Sequence, residues 1–223
     1  MKFRHEWKHE ITAADCLLLS ARLSAAAQRD SHGQNGRYAI RSLYFDDPWD
    51  TALREKLDGV ARREKFRIRY YDGDASFLCL EKKIKQDGLC GKRSVLLSVQ
   101  EVQRILDGDL DWMPASGRPL IQELCWKMKS NGLGPRTIVD YTRDAYVFPA
   151  GNVRVTLDSN IRTGLRSTDF LNPGSLTIPA GDAPTILEVK WDEFLPDLIR
   201  DAVQLPGRHT SAFSKYAACR IYG

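Results

Sequence analysis

Lys65, Arg67 and Arg69, and then Glu81, Lys83 and Lys85, fall at every second position of the stretch KFRIRYYDGDASFLCLEKKIK. In extended chain, alternate residues point to one side. The same spacing recurs at Glu6, Lys8 and Glu10, at Tyr141 and Arg143, at Arg154, Thr156 and Asp158, and at Glu188 and Lys190. Ser42, Tyr44 and Asp46 add a further polar set. A guanidinium offers a planar fork to phosphate oxygens, and an ammonium offers a compact point charge. Many such groups on one enclosed surface are unstable without counter-charge, which a long polyanion supplies. The interspersed carboxylates would repel phosphate unless a divalent cation with oxygen ligands, Mg²⁺ or Mn²⁺, bridges the two. The expected chemistry is metal-assisted handling of a phosphate chain.

These side chains need strands to align them. Alternation predicts strands over 2–11, 38–45, 65–71, 77–85, 136–146, 153–157 and 185–191. Their opposite faces are apolar, as at Phe66, Ile68 and Tyr70 or Leu187, Val189 and Trp191. One strand with a polar face is ordinary in an antiparallel sheet; the recurrence of Arg and Lys on so many is not. Helices are predicted from Thr12 and Asp15 into AADCLLLSARLSAAA, from Ser98 and Glu101 into VQEVQRILDG, and from Pro119 to Asn131. LPDLIRDAVQL and the C-terminal SAFSKYAACRIYG complete the set. Strands interleaved with amphipathic helices predict an α+β fold: a closed, mostly antiparallel β-barrel with a polar lumen and helices packed outside. No stretch reads as an interdomain linker, so residues 1–223 are expected to form one domain.

Composition narrows the class. A net charge of +4 is too small to indicate nucleic acid, and the basic residues lack an interleaved aromatic platform for bases. The five cysteines form no CxxC pair and no zinc spacing, which fits reduced thiols in a cytoplasmic protein. No apolar run approaches the roughly 20 residues that span a bilayer, so direct membrane insertion is not expected, although a separate membrane partner is compatible with this. His5, His9, His32 and His209 show no partner pattern, and His5 and His9 fall opposite Lys8 in strand phase. CLLL and Trp7, Trp126 and Trp191 are expected in the core.

Nine short motifs in order resemble a known family. They are EWK (6–8), SLYFDD (42–47), REKLDGVARREKFRIRYY (54–71), LEKKIK (80–85), GKR (91–93), VDYTRDAY (139–146), VRVTLD (153–158), LEVKW (187–191) and FSKY (213–216). Together they resemble the triphosphate tunnel metalloenzymes, and within them the catalytic domain of the vacuolar transporter chaperone (VTC) polyphosphate polymerases. The resemblance implies a closed tunnel whose phosphate-binding wall comprises Lys8, Arg67, Arg69, Lys83, Arg143 and Arg154. It implies further phosphate contacts at Lys92 and Lys190, and a clamp at the tunnel mouth from Ser214 and Lys215. Glu188 is similar to the metal-ligand glutamate of the family's last strand, with Glu6 and Glu81 completing the candidate metal set. The hydrolytic branch typically opens with ExExK; here Arg4 stands in place of the first glutamate, which favours the VTC-like branch.

The implied reaction moves the terminal phosphoryl group of ATP to a growing polyphosphate chain, with Mn²⁺ or Mg²⁺. Such chemistry needs positioning and charge neutralisation more than a protein nucleophile. Two alternatives stand beside it: a metal-dependent hydrolase of triphosphate or nucleoside triphosphates, with Glu6 or Glu81 as base, and a non-catalytic polyphosphate-binding module. Glu81 and Glu188 could equally be counter-ions to neighbouring cations.

Overall fold

Thr12 Oγ1 accepts from Asp15 N at 3.2 Å while Thr12 N donates to Asp15 Oδ2 at 2.9 Å, and this reciprocal cap starts helix α1 (Ala13–Ala26). Ser98 and Glu101 make the same exchange at the start of α3 (Val99–Leu106). The remaining helices are α2 (Thr51–Leu57), α4 (Pro119–Asn131), α5 (Asp197–Val203) and α6 (Lys215–Arg220). This computed structural model describes residues 1–207 and 209–221, so Tyr222 and Gly223 of the expected last helix lie outside the described residues.

The strands are β1 (His5–Ile11), β2 (Gln28–Arg29), β3 (Arg37–Asp46), β4 (Arg62–Tyr71), β5 (Asp74–Gln86), β6 (Leu89–Leu97), β7 (Gly134–Phe148), β8 (Val153–Thr163), β9 (Ile178–Pro179) and β10 (Thr185–Trp191). They form one 10-stranded sheet along the path β1-β10-β8-β7-β3-β4-β5-β6, with β2 on β7 and β9 on β8. Every pairing is antiparallel. Strands β4, β5 and β6 form a meander through two Asp-Gly turns. Asp72 and Gly73, like Asp87 and Gly88, have positive φ, as two-residue hairpins require.

The sheet is open, which corrects the closed barrel expected from sequence. Among the described residues the backbones of its two edges bridge only at Arg4 and Cys90, which exchange hydrogen bonds of 2.9 Å. Farther along, the free edge of β1 is taken by the C-terminal segment: His9 bridges Thr210, and Ser211 N donates to Lys8 O at 2.7 Å. A continuous β1–β6 ladder would need the same backbone groups.

The outward faces carry two cores. Leu43, Phe66, Ile68 and Leu80 pack with Val102 and Ile105 of α3 and Ile121 and Leu124 of α4. Val155, Leu157, Leu187 and Val189 pack with Leu19 and Leu23 of α1 and Ile199 of α5. Helix α6 departs from the expected outer layer. Its Tyr216 and Cys219 pack with Tyr44, Tyr141 and Ile186 on the opposite side of the sheet, the side that carries the charged residues. Of the residues expected in the core, Leu19 is fully buried and Trp191 nearly so, but Leu17, Leu18 and Trp126 are exposed. A helix buries only one stripe, and CLLL is longer than that stripe is wide.

Candidate functional site

Register assembles the charged face. Antiparallel β1 and β10 set Lys8 opposite Glu188 and Glu6 opposite Lys190. Lys8 Nζ lies 3.4 Å from Glu6 Oε1 and 3.3 Å from Glu188 Oε2. Lys190 Nζ lies 3.4 Å from Glu6 Oε2 and also contacts Glu188. From β5, across the open seam, Lys83 Nζ reaches Glu6 Oε2 at 2.8 Å, and Cys90 Sγ approaches Glu6 Oε1 at 3.4 Å. Burial alone would push the Glu6 carboxyl up, but Lys83, Lys8 and Lys190 outweigh it and hold the group well below the usual range. Glu188 is likewise buried, and Lys190, Lys8 and Lys83 hold it low.

A second cluster surrounds Glu81, which is 1% exposed. Arg67 donates to Glu81 Oε2 from Nε at 3.0 Å and Nη2 at 2.8 Å, while Arg69 Nη2 and Lys92 Nζ each lie 2.8 Å from Oε1. Arg67 Nη1 also donates to Tyr44 OH at 2.9 Å. Burial opposes ionisation of Glu81, and Arg67, Arg69 and Lys92 more than reverse it. Arg93, one residue out of phase with Lys92, instead donates outward to Glu123 of α4 at 2.9 Å.

The third cluster centres on Asp158. It accepts from Arg143 Nε at 2.6 Å and Nη2 at 2.8 Å, and from Lys215 Nζ at 2.6 Å. Lys215 Nζ also sits 4.7 Å from the Tyr141 ring centroid. Ser214 caps α6 by accepting from Ala217 N at 3.3 Å, and it faces Lys65 Nζ at 3.4 Å. Arg154 contacts Asp30 Oδ2 at 2.5 Å and donates to Tyr38 OH at 2.7 Å.

Twelve of the thirteen residues expected at the site thus lie in ion-paired clusters on the charged side of the sheet, and Ser214 borders them through Lys65 Nζ. Asp30 and Tyr38 join them unforeseen. Asp30 sits in a loop without periodicity, so nothing in the sequence marked it. His32, expected to lack a partner, has its Nδ1 2.6 Å from Asp30 Oδ1.

The three glutamates do not form one ligand set: Glu81 is held in its own cluster, and among the described residues no three His, Cys, Asp or Glu side chains gather around a common point. Glu6 and Glu188 share Lys8 and Lys190, and Thr156, which pairs with Glu188 across the ladder, has a buried Oγ1 without a hydrogen-bond partner. This oxygen-rich pair fits a hard cation such as Mg²⁺, which takes one or two carboxylates and completes its shell from substrate phosphates.

An open antiparallel sheet with a cationic inner face defines the class. The VTC domain model matches residues 3–221, and the chain belongs to the VTC-domain family. The fold is similar to that of the PH1012 protein of Pyrococcus horikoshii OT3, at 10% identity and a TM-score of 0.53, over 97% of this chain and 99% of that one. It is also similar to an adenylate cyclase candidate, bh2851, of Bacillus halodurans, at 13% identity and a TM-score of 0.50, over 85% of this chain and 80% of that one. No curated protein matches the chain.

Proposed function

We propose that this protein is a polyphosphate polymerase that transfers the terminal phosphoryl group of ATP to the end of a polyphosphate chain threaded along the charged face. The observation that carries this reading is that carboxylates are outnumbered in every cluster. Glu81 faces Arg67, Arg69 and Lys92; Asp158 faces Arg143 and Lys215; Glu6 and Glu188 together face Lys8, Lys83 and Lys190. A repeating oxyanion supplies the missing negative charge at each station.

In this mechanism Arg67, Arg69, Arg143 and Arg154 grip non-bridging phosphate oxygens and hold donor and acceptor in line. Lys83, Lys92, Lys190 and Lys215 neutralise the charge that builds on the transferred group. Glu6 and Glu188 would hold a divalent cation, which would supply charge neutralisation to the bound phosphates. The chain end is the nucleophile, so no side chain has to activate water. Glu6 and Glu81, held in their ionised forms far below the usual carboxylate range, are weak bases, which argues for transfer over hydrolysis.

The test is incubation with ATP and Mn²⁺, with and without a short polyphosphate primer, followed by separation of phosphate chains and assay of ADP and free phosphate. A ladder matched by ADP, and lost on chelation, supports the polymerase. Free phosphate without a ladder assigns the hydrolase instead. Tight polyphosphate binding without either product leaves a binding module. We propose the cytoplasm as the site of action, a location compatible with a separate membrane partner; no helix among the described residues is long and apolar enough to cross a membrane.

A further inference from the structure

Where β4 begins and β5 ends, beside α2 and α4, a cavity of about 430 Å³ is lined by Asp46, Glu55, Arg63, Lys65, Lys85 and Lys127 among others. Most of its charges are already matched. Asp46 accepts from Ala52 N at 2.8 Å, Leu53 N at 3.1 Å and Tyr216 OH at 2.7 Å. Asp47 accepts from Trp49 N and Thr51 N, both at 3.0 Å. Glu64 is bound by Lys82 and Lys127, and Arg62 Nη2 lies 3.8 Å from Asp87. Arg63, Lys65 and Lys85 form no ion pair among the described residues, while the Asp46 and Asp47 carboxylates are turned to backbone amides and the Tyr216 hydroxyl, and Glu55 completes the charged lining.

Lys65 is the centre of this unpaired set. It shares the face of Arg67 and Arg69, yet unlike them it forms no ion pair among the described residues; its nearest polar partner is Ser214 Oγ at 3.4 Å. Its ammonium lies 4.9 Å from the Tyr216 ring centroid. Burial, then Lys56 and Arg63, push it down to about 7, with Asp46 the opposing influence. Burial and the neighbouring Glu64 and Asp46 push the Glu55 carboxyl up, which lessens the negative charge it turns toward an anion.

We propose that this cavity is a second anion site, in which Arg63, Lys65 and Lys85 hold a stretch of phosphate chain beyond the matched clusters, so that the protein selects long chains over short ones. The inference rests on the phosphate-chain reading above. It differs from that reading in assigning chain-length selection to cations that have no carboxylate to displace. Lys65 borders the central face, opposite Lys83 across the ladder and 3.4 Å from Ser214 Oγ, with Arg63 and Lys85 farther along the same strands, so a chain that extends past a bound triphosphate gains their attraction without first breaking an ion pair.

The experiment is calorimetric titration of the full chain, wild type, Lys65→Met and Lys85→Gln, with tripolyphosphate and with polyphosphate tens of units long. Each substitution is expected to weaken long-chain binding about tenfold or more while changing tripolyphosphate binding little. Lys65→Met keeps the side-chain volume and removes a charge that neighbouring cations disfavour, so its unfolding midpoint should equal or exceed that of wild type. Equal loss for both ligands would place these lysines in the central site and overturn the proposal, as would no loss for either. Absence of any phosphate-chain binding by the wild type would overturn the wider reading along with it, whereas wild-type binding that ignores the substitutions overturns this proposal alone.

Discussion

Lys83 Nζ lies 2.8 Å from Glu6 Oε2 and so joins β5 to β1, strands near opposite ends of the sheet path. The pair spans the open seam, where among the described residues the only backbone bridge between the sheet edges is that of Arg4 with Cys90. It also links the Glu6–Glu188 cluster to the hairpin that carries Glu81. Lys83→Ala is expected to lower the rate of chain elongation about a hundredfold or more, with Lys83→Arg recovering part of it. ADP release and ladder length measure this, and an unchanged rate would remove Lys83 from the reaction.

Asp158 gives a prediction with a definite sign. Burial would raise its pKa, but Arg143 and Lys215 bring it down to about 2. A carboxyl that titrates lower in the folded chain than its unfolded value of about 4 stabilises fully above that value and loses its effect as pH falls toward its folded value. The contribution is on the order of 2 kcal/mol. Urea unfolding of wild type and Asp158→Asn between about pH 7 and pH 2 checks it. The variant should be less stable at neutral pH, because two buried cations lose their carboxylate, and it should lack this part of the acid slope.

Asp30 is 5% exposed and holds Arg154 Nη2, so it acts through that guanidinium. Asp30→Asn should reduce kcat about tenfold with little change in KM for the chain, since the added positive balance favours binding while Arg154 loses its aim. Asp30→Glu should restore part of kcat. A rise in KM with kcat intact would show that Asp30 does not orient Arg154 for transfer.

Asp46 ties α2 to α6, accepting from two amides at the start of α2 and from the Tyr216 hydroxyl. Tyr216→Phe removes one of the four hydrogen bonds that Asp46 accepts, the fourth being from Asp47 N, and is expected to cost about 1–2 kcal/mol. Asp46→Ala strips all four and should cost more. Chemical denaturation measures both; equal effects would mean that the Tyr216 contact carries the whole contribution.

Any anion that enters the cavity should raise the pKa of Lys65, which Lys56, Arg63 and Lys83 now oppose and Asp46 supports. Long-chain binding at about pH 8 should therefore take up a proton. Titration in buffers of different ionisation enthalpy measures it, and Lys65→Met should abolish the uptake.

Much of this protein was legible without tertiary information, because a strand's period of two assigns faces by arithmetic. Glu6 with Lys8, Arg67 with Arg69, and Glu188 with Lys190 share one side, as their spacing predicts, and Thr12 and Ser98 start helices through contacts only three residues long. Local chemistry failed where local signals were weak or ambiguous. Strand β6 has Gly91 near its start and consecutive cations of which Lys92 faces in and Arg93 out, so its alternation is obscured; α2 has seven residues and is started by a side chain from the preceding strand. Lys82 sits on the apolar face, where Glu64 and Glu123 satisfy it from elsewhere in the chain. What only the tertiary structure decided is partnership. Periodicity says which side a charge faces and cannot say which charge meets it. That Glu6 answers to Lys83, Arg154 to Asp30, and Lys65 to no carboxylate depends on how far the sheet curls and on where the C-terminal segment crosses its edge. Both follow from packing between residues far apart in the chain.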